Sequence, residues 1–416
     1  LISANNTYSS QILDFETEQF INNIIEDIKK VNGIKKIIRF KINNNEEINA
    51  FVDNKNIIYI NSGLIQYSQD YVALLSVLAH EVGHIDLNHI SLRKKTIENS
   101  KKINSLTLLS ILAGTAITEN LELLQTSILS SAAVSNQYIE FSKEQEIEAD
   151  LYALKTLDLL DTNSYSIIKL LETIEKKLLD KGFSKSNQRI STHPYFEDRI
   201  LLINNYENRS KLSYNNEYND RFNFIRAKFL GYSNKTDLIN TLDEPFKTYA
   251  NSIKYAREGD LRMSLEFLNK TITDNSNSSK SFLLETKADI LFSFGYIDEG
   301  MKFYKKNLKE YPLNYYAQIR IFENTITKNL SNKEIEIFFN NNKNLFYKYH
   351  NNKNILLKYL ELALELNKKE WTNFINFYLK ISNFEKKLVK KKFNKFKETN
   401  DKDLLKLIKK VEENIL

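Results

Sequence analysis

Apolar residues recur at helical spacing along most of the chain. Side chains three and four residues apart share one helix face, so this pattern predicts helices over residues 11–31, from Asp70 through Ile85, over 141–160 and over 162–179. Between the first two helices lie β-like runs around Ile34–Ile42, Ile48–Val52 and Ile57–Ile60, separated by Asn and Asp clusters as in hairpins. The sequence therefore predicts a mainly α fold, in which an α+β first domain carries a small sheet and an α-helical region follows.

From Pro245 onward the pattern changes to helix pairs. The offsets of a tetratricopeptide-type unit are occupied by Ala288, Leu291, Gly295, Gly300, Tyr304 and Pro312. A weaker copy lies 36 residues earlier, close to the usual period of about 34, at Tyr255, Gly259, Ser264 and Leu268. We predict a first domain over 1–210, a linker over 211–244 that starts in the polar loop 207–220, and a helical repeat domain over 245–416. An irregular helical bundle is the alternative for the last region.

Composition excludes several kinds of chemistry. The chain has no Cys, so disulfides, thiolate zinc sites and thiol nucleophiles are absent. Its nine Gly lie too far apart for a dinucleotide or Walker phosphate loop, and no GxSxG motif is present. The net charge of +6 is mild for 416 residues and predicts no nucleic-acid partner. The Lys-rich stretch 386–397 is interpreted as a solvated face of an amphipathic helix, with contact to nucleic acid or anionic lipid as the alternative.

The start of the chain and its apolar stretches bear on location. The first residue is Leu1 rather than Met, and no charged-then-apolar leader is present, which predicts an exported, periplasmic protein whose signal peptide has been removed. A chain shortened by other means is the alternative. The longest uncharged stretches, within 103–139, are shorter than the ~20 residues of a spanning helix. We interpret the helical hairpin over 103–135 as a lid or a peripheral membrane contact, with core packing as the alternative.

The strongest chemical signal is the string His80-Glu81-Val82-Gly83-His84, an HExxH motif inside the helix that starts at Asp70. His80 and His84 are one turn apart on one helix face, so both imidazoles can reach one Zn²⁺, while Glu81 can reach a water at the metal. A chance match is the alternative. The helical context and the use of two of only five His argue against it.

A third ligand is expected from a carboxylate-rich helix further along the chain. Glu146 and Asp150 are four residues apart and share a helix face. One carboxylate can bind the metal, and the other can orient a ligating imidazole through its free N–H group. Glu144 and Glu148 point roughly the opposite way and are expected to be solvated.

His89 follows His80 by nine residues, which is about 180° around a continued helix. It is therefore expected to have a structural or supporting role and not to be the third ligand. The predicted site is one Zn²⁺ per chain held by His80, His84 and Glu146, with water completing an open, catalytic sphere.

The order of these motifs, HExxH followed about sixty residues later by ExEAD, resembles the HtpX and CAAX-prenyl-protease family of gluzincin metallopeptidases. Three further segments resemble that family's motifs: Asn49-Ala50-Phe51, Asn61-Ser62-Gly63-Leu64, and Thr192-His193-Pro194 with Arg199. The resemblance covers about residues 10–205. It implies zinc ligands at His80, His84 and Glu146, the general base at Glu81, a ligand-orienting carboxylate at Asp150, and catalytic cleft residues at His193 and Arg199.

The resemblance implies that the first predicted domain, residues 1–210, is a zinc metallopeptidase domain. Such a catalytic domain with a tetratricopeptide tail is similar to periplasmic peptidases and chaperones of outer-membrane assembly. We predict a zinc endopeptidase of the bacterial cell envelope that hydrolyses misfolded or misassembled proteins, with repeats that bind clients or an envelope protein complex. A chaperone or scaffold with a mostly latent peptidase is the main alternative. A metal-free adaptor is a further one, against which HExxH and Glu146 argue.

Two expectations concern how a substrate is bound. The Ile48–Val52 strand is expected to hold an extended peptide by strand addition. His193 and Arg199 are expected to stabilise the oxyanion of the tetrahedral state. Their alternative roles are a helix cap and a surface ion pair.

Overall fold

The computed structural model of the chain describes residues 11–53, 55–90, 143–180, 196–206, 215–233, 235–274, 280–325, 330–349 and 353–366. These residues are mainly helical and include one four-stranded sheet, which confirms the predicted fold class. The chain divides into two compact units, Leu1–Glu258 and Gly259–Leu416.

The elements of the first unit are, in chain order, β1 (Gln11–Ile12), α1 (Phe15–Asn32), β2 (Arg39–Asn43), β3 (Ala50–Val52), β4 (Ile57–Asn61), α2 (Ser62–Tyr67), α3 (Tyr71–Asp86), α4 (Lys143–Leu159), α5 (Tyr165–Asp180), α6 (Phe196–Asn205), α7 (Asn216–Gly231), α8 (Thr236–Asn240) and α9 (Phe246–Arg257). The four helices predicted before residue 180 correspond to α1, α3, α4 and α5. Helix α3 starts where expected, because the Asp70 side chain accepts a hydrogen bond from the Ala73 N–H and caps the helix.

The sheet has the order β1-β2-β4-β3, and its pairing differs from a series of hairpins. Strands β3 and β4 do form an antiparallel hairpin, but β2 pairs with β4 in parallel. In this register Ile42 lies opposite Ile60, both residues are buried, and β2 and β4 occupy the centre of the sheet. The short strand β3 is left at the edge.

Helix α3 is buried along nearly its whole length and packs against α1, α4, α5, α7 and β3. A close approach to α4 is possible because residue 83 is Gly: a Cβ there would lie 3.1 Å from the Cβ and Cγ atoms of Tyr152 on α4. The two helices that carry the predicted ligands are therefore held side by side through the middle of the HExxH motif.

Residues 216–258 belong to the first unit, although the sequence places part of them in a linker. Helix α7 buries Phe222, Ile225 and Phe229 in the same apolar core as α1 and α3. On the same helix, the buried ammonium group of Lys228 lies 2.8 Å from Asp14 and 2.7 Å from Glu16. The polar first turn of α7, capped by Asn215, is the part that resembles a loop in the sequence.

The elements of the second unit are α10 (Leu261–Asp274), α11 (Lys280–Ser293), α12 (Ile297–Glu310), α13 (Tyr315–Asn324), α14 (Asn332–Asn341), α15 (Lys343–Tyr349) and α16 (Lys353–Glu365). Gly295 makes the turn between α11 and α12 with a left-handed φ of 86°. A Cβ at Gly300 would lie 2.3 Å from a Phe292 ring carbon, so glycine is required where α12 crosses α11. These positions are repeat offsets, and the tetratricopeptide assignment stays a prediction.

The hairpin over 103–135 and the Lys-rich stretch 386–397 lie outside the described residues. Within the described part of the chain, no helix has both the length and the apolar character that crossing a membrane requires.

Candidate metal centre

Helices α3 and α4 bring three predicted ligands together in the interior of the first unit. Ligand atoms of His80, His84 and Glu146 all lie within 4.8 Å of one another, and the three side chains are at most 2% exposed. The two Nε2 atoms are 3.0 Å apart. The Glu146 carboxylate lies 3.4 Å from Nε2 of His80 and 3.5 Å from Nε2 of His84.

This donor set fits a zinc ion. Ligands placed 2.0–2.1 Å from Zn²⁺ at tetrahedral angles are about 3.3 Å from each other, close to the observed separations of 3.0–3.5 Å. Two imidazole nitrogens and one carboxylate are also the ligands of catalytic zinc sites that keep a fourth position for water or substrate. A buried cation would neutralise the charge of Glu146 and would bind the lone pairs of the two facing Nε2 atoms. This is the physical reason for such a cluster.

Behind His80, Asp150 and Arg199 form a buried ion pair. Oδ1 of Asp150 lies 2.8 Å from Nδ1 of His80. The guanidinium donates twice to the same carboxylate, from Nε to Oδ2 and from Nη2 to Oδ1, both at 2.7 Å. Burial raises the pKa of Asp150, but the charges of Arg199 and His80 outweigh it and hold the pKa at about 2. Asp150 is therefore an ionised acceptor for the Nδ1–H group of His80.

The same surroundings act on the two cationic partners. Burial lowers the pKa of Arg199, but Asp150 outweighs it and raises the pKa, so the guanidinium stays charged. Burial and Arg199 lower the pKa of His80, and the carboxylates of Asp150 and Glu146 outweigh them and raise it. A proton therefore competes with a metal for His80.

Beside His84 lies a residue that the sequence placed on the far side of the helix. Nδ1 of His89 is 2.9 Å from Nδ1 of His84, and its Nε2 is 2.9 Å from Oε2 of Glu148. The 180° expectation for His89 was wrong because α3 ends at Asp86 and Asn88 takes a left-handed φ of 59°, which turns the chain back. Glu148 is mostly exposed, as expected, but it also contacts His89.

The other predicted site residues have different outcomes. Glu81 is buried on α3, next to His80 in sequence. Arg199, expected at the oxyanion, has its guanidinium engaged by Asp150. His193 lies outside the described residues. One sequence feature could have predicted the return of His89 toward His84: Asn88, a residue type that tolerates left-handed backbone, follows the motif closely and can end the helix.

Part of the chain that contains this site is similar to a known family. Residues 16–207 match the model of Peptidase family M48. That segment contains all the ligands above, their supports and Glu81.

The chain is also similar to proteins from several bacteria. The chain is 28% identical over 223 residues to the beta-barrel assembly-enhancing protease (BepA) of Escherichia coli, covering 52% of this chain and 44% of the relative. The Yersinia pestis protein of that name is 26% identical over 46% of this chain and 39% of its own length. A putative protease of that name in Vibrio cholerae is 25% identical over 42% and 35%. The aligned residues thus span less than half of each of these relatives.

Proposed function

Because residues 16–207 form a domain of Peptidase family M48, a family of zinc-dependent metallopeptidases, we propose that the protein is a zinc endopeptidase of the bacterial cell envelope. The observation that carries this proposal is the convergence of His80, His84 and Glu146 within 4.8 Å, on two helices held in contact at Gly83. The reaction is hydrolysis of peptide bonds in misfolded or misassembled proteins.

His80, His84 and Glu146 would hold the ion. When bound, zinc supplies Lewis acidity, which makes water nucleophilic near neutral pH and polarises a carbonyl group. Glu81 accepts a proton from the attacking water and delivers it to the leaving amine, a role open to a carboxylate but not to an amide. Its position directly after His80 on α3 keeps it beside the ligands.

Asp150 and Arg199 act on the ligand geometry. The Asp150 carboxylate accepts a hydrogen bond from Nδ1–H of His80, which would leave the lone pair of Nε2 in that ring for the ion. Arg199 holds the carboxylate in place through two hydrogen bonds and is a positioning residue in this mechanism. Oxyanion stabilisation is assigned to His193, on the resemblance of Thr192-His193-Pro194 alone.

The edge strand β3 offers a way to bind the substrate. Strand β3 is the last strand in the sheet order, next to β4, and an extended peptide is proposed to add alongside it as a further strand. Strand β3 also packs against α3, which carries HExxH. Main-chain hydrogen bonds to β3 would bind unfolded segments with little dependence on sequence, as expected of a peptidase that clears misfolded proteins.

The location and the partners are proposed on the basis of the relatives. The chain is similar to proteins named for enhancing β-barrel assembly, which supports a periplasmic enzyme that works with an envelope protein complex. The helices of the second unit are proposed to bind clients, as stacked helix pairs provide extended surfaces for proteins. The rival function is a chaperone or scaffold whose peptidase is mostly latent.

Metal content and proteolysis test this function together. Full-length protein grown with zinc should contain about one Zn²⁺ per chain by elemental analysis and should cleave an unfolded protein such as reduced casein. His84→Ala removes one of three ligands and should lose both properties, while Glu172→Ala, at an exposed position on α5, should lose neither. A zinc-free wild-type protein would contradict the proposal, and a zinc-loaded protein that cleaves nothing would favour the latent scaffold.

Removing the second unit tests the proposed client binding. A chain ending at Glu258 keeps all of α7 and α9, which pack together in the first unit, so it should retain zinc and turn over a short unstructured peptide at near wild-type rates. It should lose capture of large clients, because the second unit no longer raises their effective concentration. Client capture is measured by pull-down. Equal capture by a folded truncated chain would move client binding to the first unit.

A further inference from the structure

The turn that follows α3 returns the chain to the metal centre. The Leu87 N–H still donates to the Gly83 carbonyl, and the left-handed Asn88 then reverses the direction of the backbone. Lys36 fixes this turn, because its ammonium group donates to the Ile85 carbonyl at 3.2 Å and to the Asn88 side chain at 3.3 Å. The turn places the His89 side chain in the interior, with 1% of its surface exposed.

His89 connects His84 to a carboxylate on α4. The two imidazoles meet at an interplanar angle of 67°, with their Nδ1 atoms 2.9 Å apart. On the far side of the ring, Nε2 of His89 lies 2.9 Å from Oε2 of Glu148. Glu148 is two residues from both Glu146 and Asp150 on α4. This one helix therefore carries the ligand Glu146, the carboxylate that contacts His80 and the carboxylate that contacts His89.

The positions of the protons follow from either end of this chain of contacts. If His84 binds zinc through Nε2, its proton is on Nδ1. This Nδ1–H group must donate a hydrogen bond to Nδ1 of His89. That leaves the His89 proton on Nε2, facing Glu148. Starting from Glu148 gives the same answer, since an ionised carboxylate only accepts and therefore requires the proton on Nε2 of His89. One tautomer of each ring satisfies both contacts.

We propose that His89 and Glu148 are positioning residues for His84: through this chain of two hydrogen bonds they select its Nδ1–H tautomer and fix its ring plane, so that Nε2 faces the metal. The proposal rests on the proposed function, in which His84 is a zinc ligand. In this arrangement, each of the two ligand histidines is oriented by a pair of residues. His80 is oriented by a carboxylate that an arginine holds, and His84 by an imidazole that a carboxylate holds.

Zinc affinity of the full-length protein, measured by competition with a chelator, tests this arrangement. His89→Phe keeps a ring but removes both nitrogens, and should weaken zinc binding by about 10–100-fold. Glu148→Ala should weaken it by about 3–10-fold, less because Glu148 is one hydrogen bond further from the ligand and is largely exposed. His89→Asn retains an acceptor for His84 and should recover part of the affinity. Glu172→Ala is the control with wild-type affinity.

The double variant separates positioning from general stability. If Glu148 acts through His89, adding Glu148→Ala to His89→Phe should cause no further loss of zinc affinity, whereas independent effects would multiply. Nitrogen NMR of the zinc-loaded wild-type protein should show His84 protonated at Nδ1 and His89 at Nε2. These readouts do not depend on peptidase activity.

The outcomes are distinguishable from failure of the proposed function. A wild-type protein that binds no zinc would refute the function itself. Wild-type zinc binding combined with unchanged affinity in both Glu148→Ala and a folded His89→Phe would overturn only the positioning role. If His89→Phe does not fold, Glu148→Ala and the NMR tautomers still decide: unchanged affinity or a proton on Nδ1 of His89 overturns the proposal.

Discussion

Replacing Glu81 by Gln is expected to lower peptide hydrolysis by about 10²–10⁴-fold while zinc content and Tm stay near the wild-type values. Gln has nearly the size of Glu and keeps hydrogen-bonding groups, so the buried position on α3 stays filled. It cannot accept a proton from water at neutral pH. The chemical step therefore loses its general base, and the ligands at His80 and His84 are retained.

The measurement is turnover of an unfolded protein or a short peptide, with zinc content and thermal unfolding recorded on the same sample. Glu172→Gln makes the same chemical change at an exposed carboxylate on α5 and should leave all three unchanged. Turnover near the wild-type rate in Glu81→Gln would remove Glu81 from the mechanism. A simultaneous loss of zinc would instead give the residue a role in holding the metal.

The parts of the site that could be predicted from the sequence are those that a single helix determines. His80 and His84 converge because four residues make about one turn, and the apolar run that follows the Asp70 cap predicts that helix. The same periodicity predicts that Glu146 and Asp150 share a face of α4. The tertiary step, contact between the two helices, was expected because their residue types suit one metal ion and because their motifs resemble those of a known family.

The features that were not predicted from the sequence depend on where a helix ends, on which strands pair and on contacts between distant residues. His89 reaches the site because Asn88 adopts a left-handed φ of 59°, and one such residue reverses any estimate made from helical periodicity. The parallel pairing of β2 with β4 places β3 at the sheet edge, although all three strands have similar local patterns. Arg199 pairs with Asp150 across 49 residues, and no local pattern specifies that contact.

The ion pair of Arg199 and Asp150 leads to the second large effect. Arg199→Met is expected to destabilise the zinc-free protein by about 3–5 kcal/mol, because it leaves the carboxylate of Asp150 in the interior without its bidentate partner. Zinc affinity should fall as well, since an unsupported Asp150 no longer fixes the His80 ring. Denaturant unfolding with and without zinc measures both effects. Arg39→Met, at an exposed position in β2, is the control.

A second substitution distinguishes support of the ligand from stability alone. Arg199→Met combined with Asp150→Leu removes the uncompensated charge, so part of the lost stability should return. Zinc affinity should not return, because Nδ1 of His80 has now lost its acceptor. If Arg199→Met instead reduced only turnover, with stability and zinc affinity at wild-type values, the arginine would act on the oxyanion as the sequence suggested. Two results together would identify Arg199 as the residue that holds Asp150 against His80. Arg199→Met alone would lower both stability and zinc affinity, and the double variant would recover stability but not zinc affinity.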